Sequence, residues 1–214
     1  MSIQFQEYTN PGNGNLPIRV AHGHFATSHS HINYYIDLTM TKYKLSEARE
    51  AAIQLASQFK GTTLIDTILC LDGTEVIGAC MASELTKVSF TSVNANRAIY
   101  VITPEHTTGS QLIFRDNTAP MIVGKHVLVL AASVTTGFTA QGAIEAVRYY
   151  GGMVVAVCSI LSTVEECFGY MVTSIFRTQD ILPDYLSKSS YECPLCKAGV
   201  KLDAMVNTYG ISGF

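Results

Sequence analysis

The stretch that most constrains this chain is residues 125–152, which read as a strand, a tight loop and a helix in direct succession. Val127-Leu128-Val129-Leu130-Ala131-Ala132 is an unbroken apolar run. A strand that is apolar at every position is covered on both faces, which is the habit of parallel sheets flanked by helices. The run is far too short to cross a bilayer. Ser133-Val134-Thr135-Thr136-Gly137-Phe138-Thr139 follows at once. Residues 139–150 then carry a helical pattern that ends at Gly151-Gly152. A helix that starts at the carboxyl end of a buried strand offers free backbone N–H groups and the positive end of its dipole. Gly137 permits a turn that a Cβ would oppose, and Thr135, Thr136 and Thr139 add hydroxyls. Val134, Thr135, Thr136, Gly137, Phe138 and Thr139 are therefore the candidate phosphate-binding residues. The loop is not a P-loop, because the Gly-Lys-Ser/Thr ending is missing.

The rest of the chain alternates in the same way. Residues 34–38 read as a strand. Ser46 reads as the N-cap of a helix over 47–59, with Ala48, Ala51, Ala52, Leu55 and Phe59 on one face. An apolar strand over 64–71 leads into the turn Asp72-Gly73-Thr74 and a helix over 75–85. Further strands are expected at 98–103, 126–132, 153–161 and 170–176, with a loop or hairpin at 104–117. The expected fold class is α/β, a mainly parallel sheet with helices on both faces, plus small N-terminal and C-terminal extensions. One domain is expected over 1–214, with an N-terminal segment at 1–40, a core at 41–182 and a C-terminal extension at 183–214.

Charge narrows the function classes. Charged residues are 14% of the 214, the net charge is −3, and no Lys/Arg stripe occurs, so a nucleic-acid partner has no electrostatic footprint. Hydrophobic residues at 48% argue against disorder. The polar N-terminus, with Pro11, Gly12 and Gly14, lacks the pattern of a signal peptide, so a cytoplasmic protein without membrane contact is expected. In that reducing setting the six cysteines are expected as thiols.

Two segments carry metal-ligating residue types. His22, His24, His29 and His31 offer pairs at i and i+2, which share a face in a strand, but no carboxylate or cysteine lies among them. Cys193-Pro194-Leu195-Cys196 is half of a zinc-ribbon pattern whose other half is absent from the sequence. Ordinary polar histidines and a tail turn fixed by Pro194 are the expected roles, and no metal is assigned; whether either segment binds one is left open. Asp66 and Asp72 flank a short strand at opposite ends, which rules them out as a catalytic pair. Ser133 lacks the elbow motif of a serine nucleophile.

Residues 127–161 resemble the signature segment of type I phosphoribosyltransferases. Gly23-His24-Phe25 through Tyr34-Tyr35-Ile36-Asp37-Leu38, and the tail Tyr191-Glu192-Cys193-Pro194-Leu195-Cys196-Lys197-Ala198-Gly199, are similar to segments of the orotate subfamily. The resemblance implies a homodimer with a hood-like segment at 1–40. It implies a phosphorylated ribose or nucleotide ligand and magnesium if the protein is active, with no other cofactor. It also implies an acidic pair at 131–132, where this chain has Ala131 and Ala132. The pyrophosphate-side loop falls at Asp72, Gly73 and Thr74, with its glycine pattern broken. The mobile loop falls near 101–109, without Lys or Arg. Catalytic residues are therefore unassigned. Two readings follow: an active enzyme making a nucleotide such as orotidine monophosphate, or a non-catalytic regulatory protein that binds a 5′-phosphorylated ribose.

Overall fold

The computed structural model describes residues 3–9, 16–109, 111–207 and 209–213. Pro11, Gly12, Gly14 and Ser110 lie outside them. The chain divides into two compact units. Lys42–Arg177 form one; Met1–Thr41 together with Thr178–Phe214 form the other.

The unit of residues 42–177 is built on a six-stranded sheet. Its order is Glu166–Cys167, Tyr170–Arg177, Met153–Ser162, His126–Val134, Thr67–Cys70, Tyr100–Ile102. All pairings are parallel except that of Glu166–Cys167 with Tyr170–Arg177. Numbered by sequence, the five parallel strands run 2-1-3-4-5, a doubly wound order whose switch point lies between Thr67–Cys70 and His126–Val134. Leu69, Val127, Val129, Ala131 and Val157 share a cluster with Ala140, Ala143, Ile144 and Val147 of the helix Phe138–Tyr149. The i, i+3, i+4, i+7 spacing of those helix residues makes the stripe that covers this face. Fully burying side chains such as Ile144 and Val147 contributes about 1.5–3 kcal/mol each. The helix Glu75–Thr86 covers the opposite face: Gly78 approaches Ile68 and Cys70, whose side chains alternate with that of Leu69. Helices thus lie on both faces of a parallel sheet.

Several element boundaries differ from expectation. The first long helix spans Leu45–Ser57, its cap position is Lys44, and Ser46 lies inside its first turn. The expected face holds, since Ala48, Ala51, Ala52 and Leu55 are buried, and Phe59 packs inward just past the helix end. The strand His126–Val134 extends two residues further than its apolar run. Residues 104–117 contain a hairpin of Glu105–His106 against Leu112–Ile113.

The other unit joins the two ends of the chain in one sheet. Its order is Ser187–Lys188, His31–Asp37, Pro17–Ala26, Ala204–Asn207, Gly210–Gly213, with Gln6–Thr9 also paired to Pro17–Ala26. The residues after Pro183 therefore supply strands to the sheet that opens the chain. Phe25, Ile32, Tyr35, Ala204 and Val206 form its core. The register between Pro17–Ala26 and His31–Asp37 shifts between His22 and Phe25. This bulge breaks the two-residue alternation. His22 is exposed and lies edge-on to Tyr34, whereas His24 is buried beside the equally buried Phe25. The expected His22/His24 face is not formed.

Candidate functional site

In a doubly wound sheet, ligands bind outside the carboxyl ends of the strands at the switch point. The two loops that leave those ends here are residues 71–74 and 135–137; the first contains Asp72, Gly73 and Thr74, and the second lies within the stretch Val134–Thr139 singled out in the sequence.

The second loop is held by its carbonyls. Val134 O accepts from Thr163 N–H at 3.0 Å and from Ser162 Oγ at 3.1 Å. Thr135 O accepts from Thr163 Oγ1 at 2.8 Å. Gly137 O accepts from Gln141 N–H at 2.8 Å and from the Cys167 thiol at 3.6 Å. A trans peptide points its N–H opposite to its C=O, so the amides of Thr135, Thr136 and Phe138 are aimed away from these anchors. Among the described residues, the N–H groups of Thr135, Thr136, Gly137, Phe138 and Thr139 and the hydroxyls of the three threonines have no protein partner. Gly137 is the cap residue at φ +82°, and the helix begins at Phe138, one residue earlier than expected. A Cβ on Gly137 would sit 2.8 Å from Cys167 Sγ. Phe138, Thr136 and Thr139 are exposed and Thr135 is half-buried. These backbone donors and hydroxyls lie at the N-terminal end of the helix Phe138–Tyr149, the positive end of its dipole.

The first loop is tightly constrained. Asp72 at φ +57° and Gly73 at φ +79° are successive left-handed residues. Gly73 takes a left-handed backbone that other residues adopt at a cost, and Tyr43 Oη lies 2.8 Å from where a Cβ on it would be. Thr74 is fully buried, and its hydroxyl donates to Leu71 O at 2.8 Å and Leu130 O at 3.1 Å. The second of these ties the loop to the neighbouring strand. Lys42, also buried, donates to Asp72 O at 3.1 Å. Burial raises the Asp72 carboxyl above the usual carboxylate range, and the charges of Lys42 and His106 oppose that shift. Sequence reasoning missed Lys42. Its signal is absent because it lies 30 residues upstream, in the short helix Thr39–Tyr43. A second cation near the hairpin, Arg115, is engaged by Glu105 through two bonds of 2.6 and 2.5 Å.

Ala131 and Ala132 lie inside the switch-point strand His126–Val134, with 1% and 5% exposure. Ala131 belongs to the apolar cluster under the helix Phe138–Tyr149. Among the described residues, Ser133 has no side-chain hydrogen bond to a base. Asp66 lies at the far end of its strand from Asp72. It accepts from His126 N–H at 3.0 Å and from Arg97 at 2.9 Å, and the His126 ring Nδ1 lies 2.8 Å away. It ties strand starts together, away from the switch-point loops.

The sequence's metal-type segments meet in the unit formed by the chain ends. His24, His31, Cys193 and Cys196 gather with all four ligand atoms within 4.8 Å of one another. His22 and His29 stay outside this group, which takes one histidine from each of the two i, i+2 pairs and both cysteines of the tail.

No protein-family model matches the chain. Among solved structures it is similar to orotate phosphoribosyltransferase from Aeropyrum pernix, with TM-score 0.55 at 19% identity, covering 77% of this chain and 90% of that one. Mycobacterium tuberculosis orotate phosphoribosyltransferase in complex with 5-phospho-α-D-ribosyl 1-diphosphate gives TM-score 0.50 at 18% identity over 69% and 82% of the two chains. With its 2-1-3-4-5 sheet, the chain has a type I phosphoribosyltransferase-like fold. It is similar in sequence to the orotate phosphoribosyltransferase of Chlorobium phaeobacteroides. The identity is 26% over 186 residues, 85% of this chain and 86% of that protein. Among the described residues no helix is long and apolar enough to cross a membrane.

Proposed function

We propose that this protein binds a 5′-phosphorylated ribose ligand, a nucleoside monophosphate or phosphoribosyl pyrophosphate, at the switch point, and that it is a weak or inactive phosphoribosyltransferase. The observation that carries this reading is the set of unpartnered backbone amides at Thr135, Thr136, Gly137, Phe138 and Thr139, whose neighbouring carbonyls are tied back to residues 162–167. The 5′-phosphate sits on those amides, and the ribose runs toward the loop of Asp72 and Gly73. The complex of the Mycobacterium tuberculosis relative with 5-phospho-α-D-ribosyl 1-diphosphate supports the ligand class. The orotate relatives support a pyrimidine nucleotide context. A homodimer belongs to the same reading.

The catalytic half of the reading rests on charge. Transfer from phosphoribosyl pyrophosphate develops charge on the leaving group, and losing one group that stabilises such charge costs roughly 10²–10³ in rate. The resemblance puts an acidic pair at the ribose end, where Ala131 and Ala132 offer no oxygen. Asp72 is the single carboxylate within residues 71–74 and 131–139, and burial disfavours its charged form. Magnesium is a hard ion that takes carboxylate oxygens and water, and this donor set does not fit a protein-held magnesium. Binding energy at the 5′-phosphate alone helps substrate and transition state equally, lowering KM without raising kcat. Lys42 favours the alternative of an active enzyme, because it places a cation beside the pyrophosphate-side loop.

Calorimetric titration with phosphoribosyl pyrophosphate, orotidine monophosphate, uridine monophosphate and uridine tests the binding claim. The three phosphorylated compounds are expected to bind and uridine is not; equal affinity for uridine and its monophosphate overturns the site. Formation of orotidine monophosphate from orotate, phosphoribosyl pyrophosphate and magnesium tests the second claim. Turnover near the roughly 10 s⁻¹ typical of enzymes would refute the weak-enzyme reading and establish the alternative.

A further inference from the structure

We infer that the unit formed by the two chain ends holds a structural zinc ion on His24, His31, Cys193 and Cys196. The inference is independent of the ligand at the phosphate loop, because all four residues belong to the other unit.

Local structure explains how the ligands are presented. The bulge between His22 and Phe25 turns His24 into the interior, where it is 1% exposed. Ala26 pairs with His31 across a turn closed by Thr27 N–H to Ser30 O at 2.7 Å, so the second histidine starts the returning strand. Cys193 precedes the one-turn helix Pro194–Lys197, whose Lys197 N–H donates to Cys193 O at 3.1 Å. That turn brings Cys196 back to the side of the buried Cys193. One hairpin thus gives two nitrogens and one knuckle gives two sulfurs.

Four of the six ligand-to-ligand edges lie near those of a tetrahedron. With Zn–N about 2.0–2.1 Å and Zn–S about 2.3 Å, its edges should be about 3.3 Å for N···N and about 3.6 Å for N···S. His24 Nε2 lies 3.1 Å from His31 Nδ1, 3.5 Å from Cys193 Sγ and 3.7 Å from Cys196 Sγ. His31 Nδ1 lies 3.1 Å from Cys196 Sγ. The His24 tautomer is set from behind. Its Nδ1 lies 2.9 Å from Val200 O, an acceptor only, so Nδ1 carries the proton and Nε2 presents its lone pair to the cluster. One lone pair accepts one hydrogen bond, yet three ligand atoms crowd around it. A cation at the centre of the four satisfies all of them together.

The ligand set selects the ion. Two sulfurs and two imidazole nitrogens, with no carboxylate in the group, suit zinc and disfavour magnesium or calcium. Four protein ligands leave no open position, which marks a structural centre and not a catalytic one. Two thiolates neutralise the dication. The centre clamps the hairpin to a tail 169 residues away in sequence, from His24 to Cys193.

The test uses the full chain expressed with zinc in the medium and purified without chelator. Elemental analysis is expected to find about one zinc per chain, retained through exchange into metal-free buffer and released when a mercurial caps the thiols. Replacement by cobalt is expected to give the visible bands of a tetrahedral site and a thiolate-to-cobalt charge-transfer band. His31→Ala and Cys196→Ser, both nearer the surface than their partners, are expected to lose zinc while keeping the far-ultraviolet circular dichroism of the parent. The inference is overturned if the parent chain carries no zinc under these conditions, or if Cys193 and Cys196 are joined in a disulfide. It is equally overturned if cobalt binds without a thiolate band, or if His31→Ala and Cys196→Ser retain full zinc. The parent measurements decide the matter even where a variant fails to fold.

Discussion

Replacing Gly137 with alanine tests the loop geometry with separable costs. Gly137 has φ +82°, where an L-residue pays roughly 1–2 kcal/mol. The new methyl would also stand 2.8 Å from Cys167 Sγ in a packed cluster, and overpacking of this kind costs about 1–3 kcal/mol. The expected loss for Gly137→Ala is therefore about 2–5 kcal/mol. Cys167→Ala removes the sulfur and leaves a Cβ 3.9 Å from the new methyl, an ordinary contact. The double variant should regain the steric part, so the cycle should show a favourable coupling of about 1–3 kcal/mol while the backbone part remains. Urea unfolding followed by far-ultraviolet circular dichroism gives the four stabilities. A Gly137→Ala variant within about 0.5 kcal/mol of the parent, the range of an ordinary surface change, would refute the reasoning. So would a strictly additive cycle. Where the variant remains folded, nucleoside monophosphate affinity should fall at least about tenfold, which corresponds to 1.4 kcal/mol, because the loop amides are displaced.

Burial opposes the charge of Asp66, yet hydrogen bonds from His126 and Arg97 outweigh it and hold the carboxyl at about 2. The folded value lies below the unfolded one, so this stabilisation is present above about pH 4 and is lost as the pH falls toward 2. Asp66→Asn should cost on the order of 1–2 kcal/mol at pH 7, with a deficit that narrows across that window; a deficit independent of pH would count against it. Lys42→Met removes an ammonium from Asp72 O and should cost about 1.5–3 kcal/mol of stability. Calorimetry should show phosphoribosyl pyrophosphate weakened more than ribose 5-phosphate, and equal weakening would remove Lys42 from the pyrophosphate side. Sedimentation at micromolar concentration should give a dimer, and a single monomeric species would contradict it.

The parts of the fold legible in the sequence are those written locally. The apolar run at 127–132 followed by Thr135, Thr136 and Gly137 encodes a buried strand, a turn and a helix within one window, and the structure places them so. Ser46 misled because capping residues also occur inside first turns; Lys44 holds the cap position without a side-chain bond. The histidines misled because alternation assumes a regular strand, and one bulge puts His24 and Phe25 inside together. Lys42 was invisible because nothing in its own neighbourhood refers to Asp72. The meeting of His24 with Cys193 was equally hidden: it depends on Ala204 pairing with Phe25, a contact between distant strands with no local signature.

That last pairing bears on how the protein is made. The strand Pro17–Ala26 is made well before one of its neighbours, Ala204–Asn207. At 5–20 residues per second, the gap between Phe25 and Ala204 amounts to roughly 10–40 s. Within that interval residues 42–177 are made and begin to collapse, while the strand Pro17–Ala26 waits with part of one edge unpaired, an edge of the kind that recruits other chains. Completion of this sheet therefore waits for Ala204–Asn207 to be made, and the strand Pro17–Ala26 is open to mispairing until then.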